Sequence, residues 1–261
     1  MSRDACRLVT LTTDFGQKDP YVGIVKGVIL SGYPQAQIVD LNHEIPPFDI
    51  LAGAFCLKIS LPYFPFDSVH IAVVDPKVGS KQRRIALQMR DSVILAPDNG
   101  LTTAFIPLAI KAFALDKAQH FRKEVSSTFH ARDVFAPVAA HLLNGISLEE
   151  LATEIDKSTL TMIDGLEPAV SNDQIEGAVV YSDRYGNLIT NISAEMKRKI
   201  KEISIGSQVL KIASGSYDTI CDGEAQVVSG SHGYLEIAMK EASALAFLKV
   251  KNGDKVTVRI E

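Results

Sequence analysis

Helix-periodic segments alternate with apolar runs along the first half of the chain. Residues 8–12 read as a strand. Residues 21–30 place Val22, Val25 and Ile29 on one helical face, and Gly32 and Pro34 stop that helix. Residues 37–41 form a second short strand. Residues 50–61 return to a helical pattern that Pro62 and Pro65 punctuate. The run Ile71-Ala72-Val73-Val74 ends in Asp75-Pro76 and suits a strand buried on both faces. This β-α-β-α-β order predicts a mostly parallel sheet with flanking helices, an α/β class fold. Residues 83–89 and 92–96 read as two strands joined by the tight turn Arg90-Asp91. Leu101 opens a short helix, and residues 134–143 form an apolar one. Pro137 fits only a first turn, so that last helix starts near Phe135.

Residues 164–174 turn to Gly, Pro, Asn and Asp, and a boundary is expected there. Beyond it the pattern is short strands, at 175–182, 188–192, 209–212, 226–228, 234–238 and 255–260, interrupted by one helix at 194–200. The expected division is an α/β domain over 1–165 and a C-terminal β-barrel domain over 166–261.

Composition narrows the function classes. A net charge of -4 offers no basic stripe for nucleic acid. No apolar run is long enough to span a membrane, and residues 1–7 carry no signal core, so a cytoplasmic chain is expected. Cys6, Cys56 and Cys221 are far apart and in no metal-ligand spacing; they read as reduced thiols, with no metal expected. The usual dinucleotide and triphosphate cradles, the G-x-S-x-G elbow and the H-E-x-x-H zinc pair are all absent. Asp14-Phe15-Gly16 matches the kinase metal triplet in letters only, with none of the other kinase elements around it.

The candidate chemistry lies at strand ends. Asp14, Asp75 and Asp98 each follow a strand, and open α/β sheets bind ligands at that edge. His130 precedes a helix start, a place suited to an anion or an attacking oxygen. Taken singly, each has a plainer reading: a turn-capping Asp, or a hydrogen-bonding structural His.

Seven colinear segments carry a resemblance: TTDFG at 12–16, HEIPPFD at 43–49, VVDPKVGS at 73–80, APDNGLTT at 96–103, TFHARDVFAPVAAHL at 128–142, DRYGNLITNI at 183–192 and GSHGYLEIA at 230–238. In that order the chain resembles the S-adenosyl-L-methionine (SAM) hydrolases, or hydroxide adenosyltransferases, relatives of the fluorinating and chlorinating enzymes. The resemblance implies hydrolysis of SAM to adenosine and L-methionine by attack of water or hydroxide on the ribose C5′. SAM is then the substrate and no cofactor is needed. It also implies a homotrimer with active sites at subunit interfaces.

Asp75 and His130 match the Asp and His that surround the attacking water in that family. The family's catalytic Arg falls seven residues after the Asp, where this chain has Gln82, followed by Arg83 and Arg84. Arg83 is expected to fill the role if the loop absorbs one residue; alternation along a strand sends Arg83 and Arg84 to opposite sides. Lys77 replaces the usual Gly. Substrate-binding residues carry over as Asp14 on the ribose hydroxyls and Phe48 on the ribose and sulfonium. Asp183 matches the partner of the methionine ammonium, Asn187 the reader of adenine, and Ser231 a donor to the methionine carboxylate, with His232 beside it. Lys240 stands where many relatives have Asn. The halogenating relatives carry a long insertion where this chain has only Arg90-Asp91, which favours water over halide. A halide-dependent adenosyl transferase and a non-catalytic SAM- or adenosine-binding protein are the competing readings.

Overall fold

The computed structural model describes residues 7–261; Cys6 and the rest of the segment before Arg7 lie outside the described residues. The chain divides into two compact units, Met1–Ile163 and Asp164–Glu261.

In the first unit the elements are β1 (Leu8–Thr13), α1 (Tyr21–Gly32), β2 (Gln37–Asn42), α2 (Ile50–Ser60), β3 (Ser68–Val73), β4 (Arg84–Gln88), β5 (Ser92–Pro97), β6 (Lys111–Ala114), α3 (Ala136–Leu143), α4 (Leu148–Leu151) and β7 (Thr153–Ile155). The strands form one mixed sheet in the order β2-β1-β3-β5-β4-β6-β7. Strands β2, β1, β3 and β5 are mutually parallel, and β4, β6 and β7 add antiparallel pairings. All six residues of β3 are buried, as expected of a strand covered on both faces. Val22, Val25 and Ile29 of α1 pack with Val134, Val138 and Ala139 against Val9, Leu11, Ile71 and Val73. Gly32 permits the close crossing of α1 and α3, since a Cβ there would lie 2.7 Å from that of Ala140.

The apolar pattern located the buried strands but missed the sheet's far edge. β6 and β7 are four and three residues long, too short for alternation to show. Leu101 opens a run of turns and a 3₁₀ turn at Ile106–Leu108 rather than an α-helix. α3 starts at Ala136 with Pro137 in its first turn, and a π-helical turn, Ala131–Phe135, precedes it.

The second unit holds β8 (Ala169–Val170), β9 (Gln174–Ser182), β10 (Leu188–Ser193), β11 (Ile200–Ile205), β12 (Gln208–Ile212), β13 (Gln226–Ser229), β14 (Tyr234–Ala238), α5 (Ala244–Leu248) and β15 (Lys255–Ile260). Strands run β10-β14-β13-β12-β11-β15-β9, and β9 pairs back onto β10, closing a seven-stranded barrel with β8 on its flank. Closure removes free sheet edges. Val179, Leu188, Ile192, Ile203, Val227, Leu235, Ile237, Val256 and Val258 fill its core. The segment expected as a helix over 194–200 is a 3₁₀ stretch, Ala194–Lys199, and Ile200 already begins β11.

Candidate active site

The carboxyl ends of β1 and β3, neighbours in the sheet, carry Asp14 and Asp75. Both line one cavity of about 540 Å³, together with Phe48 and His130. Four residues drawn from separate sequence segments thus share one hollow.

The loop after β2 forms one wall, and it is tied to the end of β1. Thr13 Oγ1 and His43 Nδ1 share a hydrogen bond of 2.8 Å, and His43 Nε2 lies 3.0 Å from Asp40 Oδ1. Gly16 N–H donates to the His43 carbonyl at 2.8 Å. Phe48 N–H donates to Asp14 Oδ2 at 2.9 Å. Phe48 has φ +69° and is 68% exposed. A left-handed aromatic residue costs roughly 1–2 kcal/mol, and such outliers gather at ligand sites. An apolar ring held in that state at the cavity mouth has no packing reason to be there.

The opposite wall is the segment leading into α3. Phe15, Tyr21 and Phe129 meet edge to face, with ring centroids 5.4 to 6.0 Å apart. Asp133 is fully buried and braces this wall. It accepts from Arg132 Nε at 2.7 Å, from the other arm of the same guanidinium at 2.8 Å, and from the Ser126 N–H at 2.8 Å. His130 is 7% exposed and sits directly before the π turn. Its pKa is lowered by burial first and by the Arg84 charge second, against opposing pulls from Asp75 and Asp133. The imidazole is therefore neutral near pH 7 and can accept a proton.

Asp75 follows the last buried residues of β3. The Asn99 side chain donates to the Val74 carbonyl at 2.8 Å and so latches the end of β5 beside it. Asp75 Oδ1 accepts from Lys77 N–H at 3.2 Å and from Gln82 Nε2 at 2.9 Å.

Arg83 does not line this cavity. Its Nε donates to buried Asp98 Oδ2 at 2.8 Å, and its other nitrogens reach Thr159 Oγ1 and the Thr159 carbonyl. Alternation is expected to send Arg83 and Arg84 to opposite sides; Arg84 does not line this cavity either. Arg84 is the arginine whose charge acts on His130, with its Cζ 5.9 Å from the Phe121 ring. Asp98, bound also by the Thr161 N–H at 2.8 Å, is what holds Arg83 away.

In the second unit a separate cavity of about 660 Å³ is lined by Asp183, Asn187, Tyr185, Tyr217 and Ser243, among others. Asp183 organises its loop. Oδ1 accepts from the Tyr185 and Asn187 N–H groups, and Oδ2 from the Asn187 amide, each at 2.9 Å. Gly186 is needed at φ +81°, where a Cβ would meet Ser243 Oγ at 2.0 Å. Ser231 is exposed in the β13–β14 turn and does not line this cavity; neither does Lys240, paired with Asp222 at 3.1 Å. His232 lies 3.3 Å from buried Glu236, which also accepts from Tyr217 OH at 2.7 Å. Sequence reasoning missed Tyr21, Phe129 and Tyr217. Phe129 had a signal, since it directly precedes His130, just as Phe15 directly follows Asp14.

A sheet edge with two carboxylates and a neutral imidazole around one apolar-walled hollow defines a small-molecule enzyme of the α/β type, here with a barrel unit appended. The family model described as the SAM hydroxide adenosyltransferase N-terminal domain matches residues 9–152, and its C-terminal counterpart matches residues 177–257. The chain belongs to the SAM hydroxide adenosyltransferase family. It is 40% identical over 202 residues to the (R)-S-adenosyl-L-methionine hydrolase of Methanocaldococcus jannaschii, covering 75% of this chain and 70% of that one. It is 35% identical over 256 residues to the Thermus thermophilus protein of the same name, covering 95% and 97%. Fluorinases are more distant relatives. A crystal structure of an uncharacterized conserved protein from Thermotoga maritima superposes with a TM-score of 0.88 at 31% identity, covering 96% of this chain and 99% of that one.

Proposed function

We propose that this protein hydrolyses SAM to adenosine and L-methionine. The supporting observation is that Asp75 and His130, far apart in sequence, line one cavity with Asp14 and Phe48 in a chain of this family. A water oxygen bonds to ribose C5′ as the C5′–S bond breaks. The bonding pair stays on sulfur, which leaves as a neutral thioether, and the water surrenders one proton. No acid is needed at the leaving group, so the work lies in aligning the water and taking its charge.

Asp75 and His130 orient that water, with the neutral imidazole able to accept its proton. Arg84 acts from behind by keeping His130 neutral, while Arg83 anchors Asp98. Asp14 accepts from the ribose hydroxyls, and the Phe48 ring face receives the sulfonium. Asp183 and Asn187, which line one cavity, take the methionine ammonium and the adenine, and the family resemblance assigns the methionine carboxylate to Ser231, which lies outside that cavity. The protein acts in the cytoplasm as a homotrimer with its sites at subunit interfaces, and no cofactor takes part.

Incubation with SAM in ¹⁸O-labelled water, with and without chloride or fluoride, followed by chromatography and mass spectrometry, tests this. The expected product is adenosine carrying the label on its 5′-oxygen. A 5′-halo-adenosine would make it a halide transferase. Tight SAM binding without turnover would make it a binding protein.

A further inference from the structure

Among the described residues Gln82 is the polar side chain that hydrogen-bonds Asp75, and the substrate-binding scheme gives it nothing to do. Its amide nitrogen donates to Asp75 Oδ1 at 2.9 Å, and the Lys77 N–H donates to the same oxygen at 3.2 Å. Asp75 Oδ2 has no hydrogen-bond partner among the described residues. The position of Gln82 is itself fixed on both sides. Its N–H donates to Ser80 Oγ at 3.2 Å, and Arg83, next in the chain, is fastened to Asp98 and Thr159.

We propose that Gln82 is a positioning residue for the hydrolysis: it holds one oxygen of Asp75 so that the other faces the attacking water. This rests on the SAM-hydrolysis reading above. A carboxylate at a strand end is otherwise free to turn about its last bond, and a wrongly turned oxygen cannot align a nucleophile to within the fraction of an ångström that matters. An amide fixes the rotation without bringing a countercharge to the carboxylate, as an arginine at the same place would. Asp75 then keeps its full negative field toward the water. The other charged groups around this point are Lys77, two residues on; Asp14, His130 and Arg132, which line the same cavity; and Arg84 and Asp133, which act on the imidazole.

Steady-state SAM hydrolysis by Gln82→Met and Gln82→Glu, with adenosine affinity measured by calorimetry, tests the role. Thermal melts first establish that both variants fold. Gln82→Met keeps the length of the side chain and loses the donor. It should lower kcat by about tenfold or more while KM and adenosine affinity stay within about threefold. Gln82→Glu sets a like charge against Asp75 and should move the acid limb of the kcat/KM profile up by about one pH unit. A merely structural glutamine would move neither kcat alone nor the pH limb. An active wild type with an unaltered Gln82→Met variant overturns the role alone. A wild type that makes no adenosine overturns the reaction, and this role with it.

Discussion

His70 lies in the middle of β3, opposite Thr10 of β1, and the two side chains share a hydrogen bond of 2.8 Å. The imidazole is 2% exposed, and burial pushes its pKa from 6.5 down to about 4. Folding therefore holds it neutral in a range where the unfolded chain would protonate it. The sign follows from proton counts: the unfolded state binds more protons below pH 6.5, so stability falls as pH falls. The contribution is complete above the unfolded pKa and is lost progressively down to the folded one. A gap of roughly 2.5 units is worth about 3 kcal/mol in full, and about 2 kcal/mol of it is gone by about pH 5. β1 and β3 are the strands that carry Asp14 and Asp75, so acid should loosen the floor of the site. The chain has no tryptophan, so urea unfolding is best followed by far-UV circular dichroism. Wild type and His70→Gln are compared near pH 7.5 and near pH 5. The wild type should lose about 2 kcal/mol more than the variant between the two. The double difference cancels whatever the substitution itself costs. A double difference below about 0.5 kcal/mol would mean that the imidazole is protonated within the fold, and the reasoning would fail.

The proposed roles give three further expectations. Asp75→Asn and His130→Ala should lower kcat by about 10²- to 10⁴-fold while adenosine affinity holds, because both act on water; equal loss in calorimetry and kinetics would contradict those roles. Asp14→Ala should weaken adenosine binding by about 1.5–3 kcal/mol, the worth of hydrogen bonds to a charged acceptor, and an unchanged calorimetric isotherm would remove Asp14 from the ribose site. Arg84→Met should raise the His130 pKa, seen by NMR titration of the imidazole, and carry the acid limb of kcat/KM upward with it, whereas Arg83→Met should leave that imidazole where it is; the reverse pattern would restore Arg83 to the site.

Much of the site was legible because its residues sit at breaks in the apolar pattern. Asp14 and Asp75 each end a run of buried residues, and a parallel sheet brings such ends together whatever their separation in sequence. Phe48 was reachable only through the family resemblance, since nothing local marks a loop phenylalanine, whereas His130 was marked by its place just before a helix start. The arginine was not legible. Alternation shows that Arg83 and Arg84 diverge, but the direction each takes is set by Asp98 and Thr159, whose distances from Arg83 along the chain hide the contact. Ile200–Ile205 was lost for a different reason. Its neighbours Lys197, Arg198 and Lys199, with its own Lys201, look like an exposed helix face, and barrel closure overrides that local pattern.

Charge placement decides between water and halide more directly than the short Arg90-Asp91 turn does. The two donors on Asp75 are neutral, so its negative charge is not cancelled at the point of contact. Two nearby arginines are paired with other carboxylates. Arg132 is forked onto Asp133 and Arg83 is paired with Asp98. An anion brought to about 4 Å from the Asp75 carboxylate would meet roughly 4 kcal/mol of repulsion at an effective dielectric near 20. That is about a thousandfold in rate. Water meets no such barrier and gains an acceptor for one of its protons. A halide-accepting site in this chain would need a neutral group at position 75, and it has Asp75.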